Sequence, residues 1–204
     1  MSEALTKMEF DKFGYIVIKS FIPKETATVL HHYSLDVAKS GHARFDRQVP
    51  GTPSAYGDPM MEKVLERLRP KVESAVGRLL YPTYSYFRVY KSGDALPKHK
   101  DRPACEISLS LCLGYEASDP WPLFVKGPNG VFAAKLEQGD GLIYKGIECL
   151  HWREPFIGKS NSQVFLHYVA QDGPHAEWRF DKRADLNRSR SQPVDTCIRS
   201  NATA

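Results

Sequence analysis

"YSYFRVYKSGDALPKHKDRPACEISLSLCLGY", residues 84–115, decides the fold. Both of its ends alternate with a period of two and are rich in aromatic and branched residues, which is the pattern of half-buried strands. In "EISLSLCL", Ile107, Leu109, Leu111 and Leu113 share one face, while Ser108, Ser110 and Cys112 share the other. The apolar face is expected to pack on helices, leaving small polar side chains to line a cavity. Between the two strands the chain turns at Gly93 and then sets His99 and Asp101 two apart, so in an extended segment both point to one side.

The same texture continues in "PLFVKG", "GVFAAKL", "DGLIY" and "QVFLHYVA". Short strands at regular spacing argue for an all-β sandwich or barrel. Ahead of Tyr84, Tyr15 to Ile18 reads as a strand, and "PKETATVLHHYSLDVAKSG" as a helix with Pro23 near its start and Gly41 as its stop. His31 and His32 sit on that helix and read as its wet surface. A second helix over Met60 to Leu80 carries Val64, Leu65, Leu68, Val72, Ala75, Val76 and Leu79 as a core stripe, with Pro70 kinking or splitting it. Residues 42–58 hold Pro50, Gly51, Pro53 and Gly57 and read as a loop able to cover a site, with Arg44, Arg47 and Tyr56 as its substrate contacts.

At 204 residues, 42% hydrophobic and 25% charged, the chain has the makeup of one soluble domain. No apolar run approaches the ~20 residues of a membrane span, and the polar start is unlike a signal peptide, so a cytoplasmic protein with no membrane partner is expected. Cys105, Cys112, Cys149 and Cys197 show no C-x-x-C spacing and read as reduced thiols rather than a zinc knuckle. The basic tail from Phe180 onward lacks interleaved aromatics, so it reads as solvated rather than as a grip on nucleic acid.

An H-x-D pair alone is weak, because about 0.4 such pairs arise by chance in a chain of this composition. Its support is His151, about fifty residues further on, after a Gly139-Asp140 turn and a strand. Two histidines and one carboxylate form the facial triad of non-haem Fe(II) oxygenases, which leaves coordination positions open. His99, Asp101 and His151 are therefore the candidate metal ligands.

With these residues in order, the chain resembles the 2-oxoglutarate/Fe(II)-dependent dioxygenases, in particular their prolyl-hydroxylase-like and phytanoyl-CoA-hydroxylase-like members. "FDKFGYIVIKSFIPKE" resembles the strand and helix that open those domains. The resemblance implies a mainly β fold with flanking helices: a double-stranded β-helix, or jelly roll, of the cupin type. It would occupy residues 1–172 as one domain, with helical support over about 20–82, a core over about 83–172, and a polar C-terminal extension over 173–204. It also implies Fe(II), 2-oxoglutarate and O2, and hydroxylation or desaturation rather than halogenation, since Asp101 fills the position that is small in halogenases.

Tyr90, nine residues before His99, matches a tyrosine that contacts 2-oxoglutarate in several such enzymes. The usual basic anchor about ten residues after the distal histidine is missing, because that position is Asn161. A buried carboxylate still needs a cation. Arg153, on the His151 face, is the first choice, Arg88, on the Tyr90 face, the second, and Lys159, in a turn, the third. Gln163 and His167 share a face of the last core strand and are expected to hydrogen-bond the co-substrate; for His167 a satisfied core histidine is an equal reading. The expected substrate is a small molecule, such as an amino acid or a biosynthetic intermediate. A nucleic-acid- or protein-directed demethylase or hydroxylase of the same superfamily, or a non-catalytic jelly-roll binding module, stand as alternatives. A nucleic-acid partner is disfavoured because "NSQVFLHYVAQ" lacks paired arginines.

Overall fold

The computed structural model describes residues 3–186, and Cys197 and most of the basic tail lie outside them. Three helices, α1 (Glu3–Phe13), α2 (Lys24–Lys39) and α3 (Pro59–Val76), support ten strands. The strands are β1 (Tyr15–Ile18), β2 (Ser54–Tyr56), β3 (Leu80–Lys91), β4 (Leu96–His99), β5 (Ile107–Glu116), β6 (Leu123–Gly127), β7 (Gly130–Ala134), β8 (Gly141–Lys145), β9 (Leu150–Arg153) and β10 (Ser160–Ala170). They form a large antiparallel sheet in the order β1-β8-β5-β10-β3-β2 and a small one in the order β4-β9-β6-β7. This is the jelly-roll arrangement.

β5 shows why the two layers separate. Its Ile107, Leu109, Leu111 and Leu113 join Leu65, Leu68 and Val72 of α3 in the outer core, while Cys112 belongs to a second cluster with Leu123, Val125 and Phe165 between the sheets. The alternation seen in the sequence therefore divides helix support from the interior of the roll.

The helix over Met60 to Leu80 differs from expectation at both ends and in its middle. It begins at Pro59, where the Asp58 carboxylate accepts from the Met60 and Met61 N–H groups at 3.0 and 3.1 Å, and it stops at Gly77 in the left-handed region with φ 67°. It also runs through Pro70 without splitting. Pro70 is exposed, so the carbonyl left without a helical donor can turn to water. The Gly139-Asp140 turn is a structural lock: Asp140 accepts from the Ser20 and Glu137 N–H groups at 2.9 Å each and fixes the start of β8 against the end of β1.

The start of the basic tail is packed rather than solvated. Phe180 lies against the outer core, Asp181 is fully buried and Leu186 is part of the core itself. No helix among the described residues is long and apolar enough to cross a membrane.

Replacing the helix cap, Asp58→Ala, is expected to lower stability by about 1 kcal/mol, the scale of a lost N-cap. Tyr33, whose hydroxyl also donates to Asp58 at 2.8 Å and whose pKa is pushed up to about 12 by burial first and Asp58 second, should then keep only the part due to burial, which spectrophotometric titration of the tyrosines can follow beside a urea melt.

Candidate metal centre

β4 and β9 pair in antiparallel register with His99 directly opposite His151, and the two imidazoles meet with centroids 4.2 Å apart. A register shift between Leu96 and His99 sets the ring pair at the mouth of the small sheet. The chain then leaves β4, and Asp101 is fixed by its own N–H donating to the Gly146 carbonyl at 2.9 Å. Its Oδ1 lies 3.6 Å from His99 Nε2 and 3.4 Å from His151 Nε2. One donor atom from each residue lies within 4.8 Å of the others, and all three side chains are buried.

The neighbours fix the ring orientations. His99 Nδ1 donates to the Pro97 carbonyl at 2.8 Å and His151 Nδ1 to the Cys149 carbonyl at 2.9 Å. Because a carbonyl only accepts, Nδ1 carries a proton in each ring, and in the neutral rings the Nε2 lone pairs face the site where an ion would sit. Gly146 makes room: a Cβ there would come within 2.4 Å of Asp101 Oδ2 and 2.3 Å of the Cys105 carbonyl.

The charges follow from burial and from each other. Burial, and then the neighbouring His151, push the His99 pKa down to about 4. Burial also opposes charge on His151, but the Asp101 carboxylate outweighs it and holds that imidazole above its ordinary value. Burial would raise Asp101, yet the surrounding histidines hold it well below the usual carboxylate range. The donor set is thus two imidazoles and one ionised carboxylate, which fits a divalent transition metal with further ligands from solvent or co-substrate.

Ser108 donates to Asp101 Oδ2 at 3.0 Å and accepts from His167 Nδ1 at 2.9 Å. His167 therefore carries a proton on Nδ1, and burial takes its pKa down to about 4. Asp101, Cys105 and His167 also cluster within ligand reach of one another. Ser108 bridges two of them and the Tyr84 hydroxyl meets Cys105 Sγ at 3.0 Å, so protein groups already satisfy this second set.

The triad opens on a cavity walled by Tyr84, Tyr86, Tyr144 and Phe165, with Gln48, Arg88 and His167 as its polar members beside the triad. Arg88 is buried and committed: its Nη2 donates to Gln48 Oε1 at 2.7 Å and pairs with Asp46. Gln48 in turn donates to His99 Nε2 at 3.0 Å. Asp46 and Gln48 are the polar residues of the 42–58 loop that reach Arg88 and His99, and the sequence reading missed them. It named Arg44 and Arg47, which are exposed, and Tyr56, whose hydroxyl donates to Asp181 at 2.6 Å. A loop that turns back on itself has no period to show which side chains face in.

Arg153 does not line that cavity. It is also buried, and its Nη1 donates to the Trp121 carbonyl at 2.6 Å with the guanidinium 4.7 Å from the Trp121 ring. Among the described residues its Nε and Nη2 have no hydrogen-bond partner, nor do the Tyr90 hydroxyl, Ser110 Oγ and Gln163 Oε1. Gln163 Nε2 donates to Asn161 Oδ1 at 2.7 Å. Lys159 lies outside the site, exposed and paired with Glu116 at 2.9 Å.

No protein-family model matches the chain, and no curated protein matches it in sequence. Solved structures do match it in fold. The epimerase SnoN, in complex with Fe3+, alpha ketoglutarate and nogalamycin RO, aligns with a TM-score of 0.72 at 9% identity over 96% of this chain and 94% of its own. EctD from S. alaskensis, with 2-oxoglutarate and 5-hydroxyectoine, aligns at 0.67 and 16% identity over 83% and 76%. A prolyl hydroxylase from Trichoplax adhaerens, in complex with a hypoxia inducible factor peptide fragment, aligns at 0.66 and 14% identity over 81% and 90%. At these identities the likeness is one of fold.

The buried histidines make acid stability a test of the metal-free site. His99 and His167 fall from 6.5 to about 4 on folding, so the unfolded chain binds more protons between those values and stability drops as pH falls through them. His151 is shifted the other way: its contribution is complete below pH 6.5 and is lost only as pH rises through its folded value, so it offers no compensation in this window. Between pH 6 and 5 the metal-free protein should lose about 2 kcal/mol. A urea midpoint that does not move over that interval would refute the neutral assignment of the two rings.

Proposed function

We propose that the chain is an Fe(II)- and 2-oxoglutarate-dependent oxygenase that hydroxylates a small molecule, such as an amino acid or a biosynthetic intermediate. The observation that carries this reading is the convergence of two Nε2 lone pairs and one ionised carboxylate, all buried, on a cavity inside a jelly roll. His99, Asp101 and His151 would hold the iron. Bound there, Fe(II) with O2 would couple decarboxylation of 2-oxoglutarate to succinate and CO2 with transfer of one oxygen atom into a C–H bond of the substrate.

The protein's share is binding, orientation and shielding. Pro97 and Cys149 carbonyls hold the two imidazoles with Nε2 inward, and Ser108 turns the Asp101 carboxylate so that Oδ1 faces them. Arg153 is the proposed anchor for the distal carboxylate of 2-oxoglutarate. It is two residues beyond His151 on β9, hence on the same face and roughly 6 to 7 Å further along. A buried guanidinium with two unpartnered N–H groups and no acidic partner among the described residues is what a carboxylate would complete. Tyr90 and Gln163, each with an unpartnered polar atom, are placed to add hydrogen bonds. Arg88, whose charge Asp46 already answers, is assigned to the substrate side together with Gln48 and His167.

Small-molecule chemistry is favoured by the cavity itself. Aromatic walls with a few polar groups are the makeup of a small-ligand site, and the 42–58 loop lies over it with Gln48 seated on His99.

Two sets of variants test the reading. His99→Ala, Asp101→Ala and His151→Ala should each abolish Fe(II)-dependent succinate formation while circular dichroism stays that of the parent. Near-parental turnover in any one would strike that residue from the ligand set. In anaerobic titrations of the Fe(II) protein, Arg153→Ala should weaken 2-oxoglutarate binding by at least ~2 kcal/mol, the scale of a lost charge-assisted contact in a desolvated site. An unchanged dissociation constant in Arg153→Ala beside a large loss in Arg88→Ala would move the anchor to Arg88.

A further inference from the structure

We propose that Asp181 is a positioning residue for Asp101, acting through Arg102, so that the segment after the last strand sets the geometry of the metal centre. This rests on the reading of His99, Asp101 and His151 as metal ligands. The sequence gives no hint of it, because Asp181 falls in what reads as a polar tail.

Asp181 is a fully buried carboxylate. Its Oδ1 accepts from Arg102 Nη1 at 2.6 Å and its Oδ2 from Arg102 Nη2 at 2.8 Å, the two parallel bonds of a fork, and Tyr56 donates to Oδ2 at 2.6 Å. The Arg102 guanidinium is also held between aromatic faces, 4.6 Å from the Tyr84 ring and 5.7 Å from that of Trp178. Few cations in the molecule are so closely fixed, and this one is the chain neighbour of Asp101.

The backbone around Asp181 is strained. Phe180, Asp181 and Lys182 have φ values of 53°, 55° and 61°, three successive residues with side chains in the left-handed region where glycine is at ease. Such a run persists only where the surroundings over-determine it. Here they do: Arg183 Nη2 donates to the Thr83 carbonyl at 2.9 Å just past the strained residues, and Leu186 is embedded in the outer core. The result turns the Asp181 carboxylate inward, onto Arg102.

The consequence for the metal centre is mechanical. Asp101 and Arg102 lie in the short stretch between β4 and the tight turn Pro103–Cys105. On the inner side that stretch is held by the Asp101 N–H on the Gly146 carbonyl and by Ser108 on the carboxylate. On the outer side it is held by the Arg102 fork. Without the fork, the link that carries Asp101 keeps its inner ties, the Cys105 N–H on the Arg102 carbonyl at 2.9 Å and the ring contacts of Arg102, but loses its charged tie, and Oδ1 has more freedom to leave the position facing both Nε2 atoms.

Co(II) is a suitable probe, because its visible ligand-field bands report the ligand geometry and the readout needs no turnover. The parent protein should bind Co(II) with bands that disappear in His151→Ala. Asp181→Asn, which breaks the charged fork, and Arg102→Lys, which keeps the charge but not the fork, should each weaken Co(II) binding at least tenfold and alter the bands. Val72→Ala, a core truncation in α3 that touches neither, should lower the melting temperature yet leave Co(II) affinity within twofold. If Asp181→Asn does not fold, Tyr56→Phe removes one bond to the same carboxylate and should weaken Co(II) about threefold. Folded Asp181→Asn and Arg102→Lys, or Tyr56→Phe in their place, with parental affinity and bands would overturn the positioning role. A parent protein that binds no Co(II) at all would overturn the metal-centre reading instead.

Discussion

A buried carboxylate without compensation is among the most costly groups a fold can carry, and Asp101 is almost wholly removed from solvent. Much of the surrounding architecture answers that one charge. Two imidazoles stand against Oδ1, a hydroxyl donates to Oδ2, and glycine is required at position 146 because any larger residue would strike the carboxylate. Each of these comes from a different strand or loop. The centre therefore exists only when both sheets have closed on each other, and breaking a single contact exposes the remaining groups to an unpaired charge.

The sheet that makes this closure has to be polar on its inner face and apolar on its outer one. β5 meets both demands with the simplest code, Ile107 and then a leucine on every odd residue from 109 to 113, with Ser108, Ser110 and Cys112 between them. β3 does the same with larger groups: Tyr84, Tyr86, Arg88 and Tyr90 face inward, while Phe87 and Val89 join the outer core. The helices are what permit the polar interior. By covering Leu109, Leu111, Val164 and Leu166 they supply the apolar burial that the inner face forgoes. α3 also ties itself to the sheet through Glu62, which accepts from the Ser85 N–H at 2.9 Å.

This division explains what could be read from the residues alone. The large sheet was legible because each of its long strands has unlike faces, so a period of two survives in the sequence. β4 and β9 have four residues each, too few to show a period, and they emerged only through the histidines and the arginine they carry. The ligand trio was legible because its chemistry is rare and its order fixed. Asp46, Gln48 and Asp181 were not, since nothing local marks a loop carboxylate or amide as buried. Asp181 meets Arg102 across 79 positions, and Arg88 meets Asp46 across 42, so both pairs exist only in three dimensions. Pro70 misled for a related reason: whether a helix tolerates proline depends on what its freed carbonyl faces, which the sequence does not say.

The two buried arginines show how a partner separates roles that burial alone leaves equal. Arg88 and Arg153 are each nearly inaccessible. Arg88 is answered by Asp46, and through Gln48 it is linked to His99 Nε2, the atom that an ion would claim. An ion at His99 must displace the Gln48 amide, so the loop carrying Gln48 and Asp46 cannot be indifferent to what the centre holds. Among the described residues Arg153 has no such counter-charge, and burial alone moves its pKa downward. A fold that leaves a guanidinium unpaired in its interior keeps a standing electrostatic deficit there, relieved by the stacking on Trp121 and one carbonyl. An anionic ligand of the kind proposed above would remove the deficit and gain a pre-oriented fork in doing so. The same residue type, at the same depth, is thus committed to the protein in one place and open to a ligand in the other, and the difference lies in a single loop aspartate.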